Sequence, residues 1–227
     1  MMHNTLHPYL LPLKEAFLFH ADDDIARAAT AYMKHQSVFF GIKAPVRRLL
    51  LKEFVADHGL PDPVELAEIV QSAWQQPERE FQYAAMELAF KCRKKFRPEI
   101  IKLFEFMITH KSWWDTVDYI APNLVGDWFR IFPDHRERLI TNWMQSGNIW
   151  LQRSCLLFQL KYKNNTDRQL LFQLAGQLAV EKEFFIRKAI GWALREYAKT
   201  NPEQVRSFVA NTNLSGLSRR EALKHIS

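Results

Sequence analysis

The sequence predicts an all-α protein built from repeated helices. Apolar residues recur at spacings of three and four, a pattern typical of helices that bury one face. One clear example runs through Leu66, Ile69, Val70, Ala73 and Trp74. Only seven of the 227 residues are glycine, which argues against the glycine-rich phosphate loops of nucleotide-binding α/β folds. We therefore expect roughly a dozen helices and no strand.

Proline followed by an acidic residue marks several helix starts. Proline costs nothing in the first turn, and an acid suits the positive end of the helix dipole. The four pairs are Pro77-Glu78, Pro98-Glu99, Pro133-Asp134 and Pro202-Glu203. Capping boxes predict two further starts, one from Thr166 with Gln169 and one from Ser218 with Glu221. Earlier helices are expected over residues 8–20, 22–36, 45–58, 63–75 and 78–95, with an apolar break at 38–41.

A repeat of 35 residues organises the chain. The segments 81–85, 151–155 and 186–190 share one pattern of apolar, polar and small residues. Two helices in a unit of this length are typical of an α-solenoid of the HEAT kind or a relative, although the usual unit is slightly longer. Such a solenoid forms a curved body, with one helix of each pair along its concave surface. The equivalent positions on that surface are Arg48, Tyr83, Asp118, Arg153 and Lys188.

Asp118 is the one carboxylate in this row of mostly cationic residues. A basic groove is expected to bind a phosphate backbone, and a negative charge in its middle opposes that binding. Two explanations fit the sequence. Asp118 either pairs with Arg153 or Lys188 and orients it, or it performs chemistry. Asp115 falls in a different row and is the weaker candidate.

Two tryptophans flank the same row. Trp114 lies one helical turn before Asp118, and Trp192 lies one turn after Lys188. Tryptophans in helical repeats often belong to the core, and these two are equally consistent with core positions and with a place in the groove. In the groove, their ring faces would attract a cation by roughly 0.5 to 2 kcal/mol. Trp74, Trp113 and Trp143 are expected in the core.

The charge is unevenly distributed. Residues 148–227 carry 13 Lys and Arg against 6 Asp and Glu, a balance of +7, whereas residues 1–147 carry −1. A basic half favours a polyanionic partner, although a solvated basic face is the alternative. Cys92 and Cys155 lie in apolar helical patterns and are expected to be buried free thiols. No apolar run suits a membrane span and no signal peptide is recognisable, so we expect a soluble, cytosolic protein.

The common catalytic signatures are absent. The sequence contains no nucleophile elbow, P-loop, dinucleotide fingerprint or zinc-deaminase motif. The eight histidines are scattered, so no metal site and no cofactor are predicted. No lysine shows the environment of an activated amine nucleophile, and strand cleavage by elimination is not expected.

Several motifs in order make the chain similar to a known family, the AlkD-like DNA alkylation repair glycosylases, which are built from HEAT-like repeats. The resemblance covers nearly the whole chain. Its motifs are Tyr32-Met33-Lys34, Gly41-Ile42-Lys43, Arg79-Glu80-Phe81-Gln82, and the segments 111–118, 148–153, 159–163 and 182–197.

This resemblance implies a monofunctional DNA N-glycosylase that removes cationic N3- and N7-alkylated purines, such as 3-methyladenine and 7-methylguanine, from duplex DNA. The catalytic carboxylate would be Asp118, with Trp114 and Trp192 as its aromatic companions. The implied DNA-binding residues are Arg153, Tyr32, Lys43, Arg48, Lys161, Lys163, Lys188 and Arg195. Lys43 departs from the neutral polar residue of some relatives. The whole of residues 1–227 would be a single domain, acting as a monomer in the bacterial cytosol or nucleoid.

The chemistry agrees with this interpretation. Alkylation at N3 or N7 makes the base cationic and a good leaving group, and positive charge moves to the sugar as the bond breaks. A fixed carboxylate stabilises that charge and can orient the attacking water. A noncatalytic solenoid that recognises distorted or branched DNA is the alternative, and a protein-binding repeat scaffold is a third possibility, disfavoured by the +7 balance.

Overall fold

The computed structural model describes residues 5–225. Over those residues the secondary structure is helical, and the only β-type pairing is an isolated parallel bridge between Val38 and Glu78. The all-α prediction is therefore confirmed. Contacts within the chain separate into two compact units, Met1–Leu103 and Phe104–Ser227. The assignment of the whole chain to one domain stays a prediction.

The described part of the first unit, residues 5–103, contains five α-helices, and a sixth helix spans the boundary between the units. They are α1 (Leu11–Phe19), α2 (Asp23–Tyr32), α3 (Ala44–His58), α4 (Leu66–Gln75), α5 (Arg79–Lys91) and α6 (Ile101–Thr109). The second unit continues with α7 (Trp114–Ile120), α8 (Gly126–Ile131), α9 (Arg136–Gln145), α10 (Ile149–Leu157), α11 (Arg168–Gln177), α12 (Phe184–Ala198), α13 (Pro202–Asn211) and α14 (Gly216–Leu223). Short 3-10 turns connect several of them.

The proline pairs mark helix starts with different precision, and the two capping-box predictions are wrong. Pro98 and Pro133 begin 3-10 turns that lead directly into α6 and α9, and Pro77 precedes Glu78, the cap of α5. Pro202 is the first residue of α13, with Glu203 in its first turn. The cap of α11 is Asp167, whose side chain accepts a hydrogen bond from the Leu170 amide. The cap of α14 is Ser215, so Ser218 lies inside the helix. A nearby short polar residue took the capping position in both cases, because Ser, Thr and Asp compete closely there.

In the first unit, a buried carboxylate organises the apolar break between α2 and α3. Glu80 of α5 is 1% exposed, and it accepts hydrogen bonds from the amides of Phe40, Gly41 and Ile42 at 3.1, 3.0 and 3.1 Å. Gly41 has a φ of +88°, and a Cβ atom there would lie 2.0 Å from the carbonyl oxygen of Asp22. The break is therefore an ordered turn held by one charged side chain.

Replacing Glu80 with Gln tests that turn. The Gln side chain has one acceptor oxygen in place of two. Its NH2 group would face backbone N–H groups that need an acceptor, so at least one of those N–H groups would lose its hydrogen bond. Hydrogen bonds to charged groups contribute about 1.5 to 3 kcal/mol each, so the free energy of unfolding should fall by about 3 kcal/mol. Urea denaturation measures it. The control Glu53→Gln, at an exposed position of α3, should change it by less than about 0.5 kcal/mol; equal effects would contradict the assignment.

In the second unit, four helices pack side by side in chain order. Helix α10 packs against α7 on one side and α12 on the other, and α14 packs closely on α12. Helices α9, α11 and α13 pack against α10 and α12 and complete the pairs. Because α7, α10 and α12 are successive members of the repeat, residues 35 apart come together. The repeat predicted from the sequence thus positions the candidate site residues described below.

Several general features can be stated for residues 5–225. Cys92 and Cys155 are buried and free, as predicted. No three His, Cys, Asp or Glu side chains in that part of the chain gather as metal ligands would. No helix within it combines the length and the apolar character that crossing a bilayer requires. Trp74 and Trp143 are core residues, 1% and 2% exposed, as expected, whereas the same expectation is wrong for Trp113, which is only partly buried.

Candidate nucleic-acid interface

Asp118 and Arg153 form a bidentate ion pair in the second unit. The Nε and Nη2 atoms of Arg153 donate to the two carboxylate oxygens of Asp118 at 2.7 and 2.8 Å. The Arg153 side chain is 5% exposed and that of Asp118 is 16% exposed. Asp118 lies on α7 and Arg153 on α10, 35 residues later. The structure therefore shows the pairing with Arg153 that was one of the two explanations offered by the sequence, and it leaves part of the carboxylate open to solvent.

A pocket opens beside this pair. Its walls carry both predicted tryptophans, Trp114 and Trp192, each partly exposed. Two of the predicted cations, Lys188 and Arg195, line it as well. The full lining is Trp114, Asp118, Arg153, Phe184, Phe185, Lys188, Trp192, Arg195 and Glu221. Trp114 and Trp192 thus belong to the pocket and not to the core, which resolves the alternatives that the sequence left open.

An aromatic cluster supports the ion pair from below. The rings of Trp150 and Phe185 lie 5.0 Å apart, and Trp113 lies 5.8 Å from Trp150 and 5.0 Å from Phe185. The Nη1 atom of Arg153 donates to the carbonyl oxygen of Phe185. Arg153 therefore joins α7, α10 and α12, and its guanidinium orientation is fixed from two sides. A fixed guanidinium in turn fixes the plane of the Asp118 carboxylate.

The environment shifts the acidity of Asp118. Burial raises the pKa of this carboxyl above its ordinary value, and the hydrogen bonds and positive charge of Arg153 offset part of the increase. Asp115 adds a small further increase. Desolvation disfavours the ionised form, whereas a bonded guanidinium favours it. An ionised carboxylate in this position is poorly solvated and can interact strongly with a cation placed against it.

A second depression adjoins the first and shares Asp118 and Trp192 with it. Lys161 lines this depression, and its Nζ lies 2.5 Å from the amide oxygen of Asn123. Asn123 belongs to a π-helical turn, Ala121–Val125, that follows α7 directly and has Pro122 as its second residue. The Asn123 amide nitrogen donates to the carbonyl of Tyr119. Lys161 is thereby held beside the pocket with an exposed side chain.

The other predicted DNA-binding residues are distributed differently. Lys163 is exposed in a 3-10 turn with a φ of +52° and lines neither depression. Tyr32, Lys43 and Arg48 lie in the first unit, Tyr32 at the end of α2, Lys43 at the cap of α3, and Arg48 on α3. All three are exposed, and Arg48 lies 3.7 Å from Glu87. Their contacts with DNA stay predictions.

The sequence prediction missed three pocket residues, Phe184, Phe185 and Glu221. Phe185 lies 35 residues after Trp150, so the repeat contained a signal for their contact. Phe184 is 54% exposed at the start of α12, one helical turn before Lys188 on the same helix face, and that spacing was the available signal for it. Glu221 was interpreted as part of a capping box, but it lies inside α14 and bonds Lys188 and Arg195 instead.

Comparison with protein families identifies the chain. The model of a family described as "DNA alkylation repair enzyme" matches residues 13–226. The chain belongs to this family. Among solved structures, it is similar to a predicted DNA alkylation repair enzyme from Enterococcus faecalis at 34% sequence identity and a TM-score of 0.85. The match covers 92% of this chain and 97% of the enterococcal chain. The AlkD-like assignment made from the motifs is therefore confirmed.

More distant structures share the fold. AlkD2 from Streptococcus mutans matches with a TM-score of 0.62 at 17% identity, over 78% of this chain and 88% of that chain. The smu.31 protein of Streptococcus mutans UA159 matches with a TM-score of 0.61 at 18% identity, over 81% and 98%. A search of curated proteins gave no match. These two structures thus share the helical fold of this chain.

Removing Arg153 should expose the cost of burying Asp118 alone. In Arg153→Gln, Asp118 keeps its burial and loses its counter-charge, so the free energy of unfolding at pH 7.5 should fall by about 3 to 5 kcal/mol. Without Arg153 the pKa of Asp118 rises further above that of the unfolded chain. The penalty is therefore absent at low pH and grows as the pH rises through the folded-state pKa.

Urea unfolding at pH 7.5 and pH 5 measures this effect. The destabilisation should be smaller at pH 5. Arg206→Gln is the matched control, because it breaks a pair with Glu203 whose side chains are 40% and 77% exposed, and it should change stability by less than about 1 kcal/mol. Equal destabilisation of Arg153→Gln at both pH values would attribute the loss to packing and not to the charge.

Proposed function

We propose that this protein is a monofunctional DNA N-glycosylase that excises cationic N3- and N7-alkylated purines from duplex DNA. The observation that carries the proposal is the Asp118 carboxylate, paired to Arg153 and partly open to a pocket with two tryptophan walls. Membership of the DNA alkylation repair family supports it. The partner is duplex DNA containing the lesion, and the protein acts as a monomer.

The reaction needs little from the protein at the base. An N3- or N7-alkylated purine carries a positive charge, so cleavage of the C1′–N bond releases a neutral base that keeps the bonding electrons. Positive charge then develops on C1′ and O4′ of the sugar. Water adds to C1′ and loses a proton, which leaves an abasic site. No general acid is required for the departing base, and the barrier lies in the cationic sugar.

Asp118 acts on that sugar cation. The carboxylate is held in place before the reaction, so its electrostatic attraction is gained without reorganisation at the transition state. Its low exposure strengthens the interaction, since little water screens it. The same carboxylate is suited to accept a hydrogen bond from the attacking water. Arg153 keeps the carboxylate ionised and oriented. Its side chain is 5% exposed and all three of its nitrogens already donate, so we assign the phosphate contacts to the more exposed Lys188 and Arg195.

The aromatic walls act on the same charge. The faces of Trp114 and Trp192 attract a cation by roughly 0.5 to 2 kcal/mol each, more where water is excluded. They also define a slot that suits a sugar beside Asp118. Lys188, Arg195 and the nearby Lys161 supply cations for the phosphates on either side of that sugar. The site thus combines one negative charge for the sugar with several positive charges for the backbone.

Asp118→Asn is the direct test of the catalyst. The substitution preserves shape and removes the charge, and loss of one preorganised electrostatic group typically costs about 100-fold to 1000-fold in rate. Release of 7-methylguanine from methylated duplex DNA under single-turnover conditions measures it. Asp115→Asn, three residues earlier on the same helix, is the control and should stay within about fivefold of wild type. A fully active Asp118→Asn variant would exclude Asp118 as the catalyst.

The rate should also depend on pH through the same carboxyl group. Burial raises the pKa of Asp118, so the active, ionised form is lost at a higher pH than for an ordinary aspartate, whose pKa is about 3.9. The single-turnover rate of the wild type should fall as the pH is lowered through the raised pKa of this carboxyl. The residual rate of Asp118→Asn should lack this decline. The same decline in both proteins would assign it to another group.

The alternative function is noncatalytic binding of distorted or branched DNA. It predicts duplex affinity that decreases with salt, without any release of base. The assembly of Asp118, Trp114 and Trp192 in one pocket favours catalysis, since a carboxylate beside two aromatic walls suits a cation and not a phosphate. The single-turnover assay on methylated DNA separates the two functions, because only the glycosylase yields free 7-methylguanine.

A further inference from the structure

A second carboxylate lies in the pocket wall, and neither the repeat nor the family motifs assigned it. Glu221 of α14 accepts from the Nζ of Lys188 at 2.9 Å and from the Nη1 of Arg195 at 2.7 Å, and its side chain is 14% exposed. Hydrogen bonding from Lys188 lowers the pKa of Glu221, with Arg195 adding to the effect. Glu221 is therefore ionised throughout the neutral range and bonds both cations at once.

The two cations occupy one face of α12. Lys188, Trp192 and Arg195 follow at spacings of four and three, so they lie along the same side of the helix with the indole between the charges. Without a partner, long basic side chains sample many rotamers, and binding a ligand then costs the conformational entropy of ordering each one. Glu221 restricts the rotamers of Lys188 and Arg195, on either side of Trp192, before any ligand binds.

The position of Glu221 is itself rigid. Helix α14 packs so closely on α12 that a Cβ atom at Gly191 would lie 2.4 Å from the Cβ of Glu221 and 2.9 Å from the carbonyl oxygen of Ser218. The Ser218 hydroxyl donates to the carbonyl of Arg187 at 2.9 Å. Glu221 is thus placed by contact between two helix backbones, and a glycine at position 191 is required for that contact.

The bonds to Glu221 leave donors for a ligand. An ammonium has three N–H donors and a guanidinium has five, and Glu221 takes one from each. Lys188 and Arg195 remain 40% and 24% exposed in the pocket. The three side chains together carry a net charge of +1, which suits a single phosphate.

We propose that Glu221 is a positioning residue that holds Lys188 and Arg195 on either side of Trp192, so that their remaining donors bind the DNA phosphate next to the nucleotide facing Asp118. The inference rests on the proposed function only for the chemical step; the binding role requires just that the pocket takes a backbone nucleotide. Glu221 sets the register of the strand against Trp192 and Asp118, whereas general attraction to DNA comes from the net positive charge.

The test compares Glu221→Gln with a matched control. Glu203→Gln also removes one negative charge and frees one arginine, Arg206, but Glu203 is 77% exposed on α13. The affinity of each protein is measured for an undamaged duplex and for the same duplex carrying one tetrahydrofuran abasic nucleotide. Release of 7-methylguanine is measured in parallel under single-turnover conditions. Urea unfolding checks that each variant is folded.

If Glu221 is a positioning residue, its replacement should impair the register of the DNA strand in the pocket without weakening overall affinity for DNA. Glu221→Gln should bind the undamaged duplex as well as wild type or up to about threefold more tightly, because it gains positive charge. Its preference for the abasic duplex should fall by about fivefold or more, and its single-turnover rate by about tenfold. Glu203→Gln should keep both the preference and the rate within about twofold.

Several results overturn the inference. An unchanged preference of Glu221→Gln for the abasic duplex would do so. Higher affinity for both duplexes with an unchanged rate would also do so, because that is the behaviour of a counter-ion that competes with DNA. A wild type that binds the two duplexes equally would also overturn it. If the wild type releases no 7-methylguanine while Glu221→Gln still lowers the preference, the proposed glycosylase function fails and the positioning role stands.

Discussion

The pocket depends on the ion pair between Asp118 and Arg153. Without a partner, the ionised form of a carboxyl group that is only 16% exposed would be strongly destabilised by the loss of hydration. The planar guanidinium of Arg153 matches both carboxylate oxygens, which a lysine could not do. Arg153 is itself buried, and its remaining bond to the Phe185 carbonyl connects a third helix. One side chain thus secures a negative charge and fixes α7, α10 and α12 around it.

The two carboxylates of the pocket are adjusted in opposite directions. Burial raises the pKa of Asp118, whereas the hydrogen bond from Lys188 lowers that of Glu221. Titratable groups whose environments separate their pKa values commonly have different roles. Asp118 has a partner on one side and an open slot on the other, which suits interaction with a transient cation. Glu221 forms ion pairs with two cations, which suits the ordering of groups that contact phosphate.

The 35-residue repeat explains how much of the site was visible in the sequence. It brought Asp118 and Arg153 together correctly, because α7 and α10 are equivalent members of neighbouring repeats. In the first unit the same step paired Arg48 with Tyr83, but the guanidinium over the Tyr83 ring, 5.0 Å from its centre, is that of Arg47. Adjacent residues on a helix point about 100° apart, so a one-residue error exchanges a buried side chain for an exposed one.

Contacts outside the repeat could not be predicted in the same way. Glu221 reaches the pocket because α14 lies directly on Gly191, and helix packing of this kind depends on backbone distance and not on residue pattern. The capping-box pattern around Ser218 satisfied the local rule, yet Ser215 was a better placed acceptor. Local propensities therefore located the helices, whereas the second carboxylate of the site depended on tertiary contact.

The central claim is that Asp118 stabilises positive charge on the sugar. The most direct measurement is binding of two abasic analogues that have the same ring size and differ chiefly in charge. One duplex carries a cationic pyrrolidine nucleotide and the other the neutral tetrahydrofuran nucleotide. Wild type should prefer the cationic duplex by about tenfold or more, in keeping with charge interactions in a poorly solvated site. Asp118→Asn should lose that preference while binding the neutral duplex normally. An equal preference for the cationic duplex in both proteins would contradict the account.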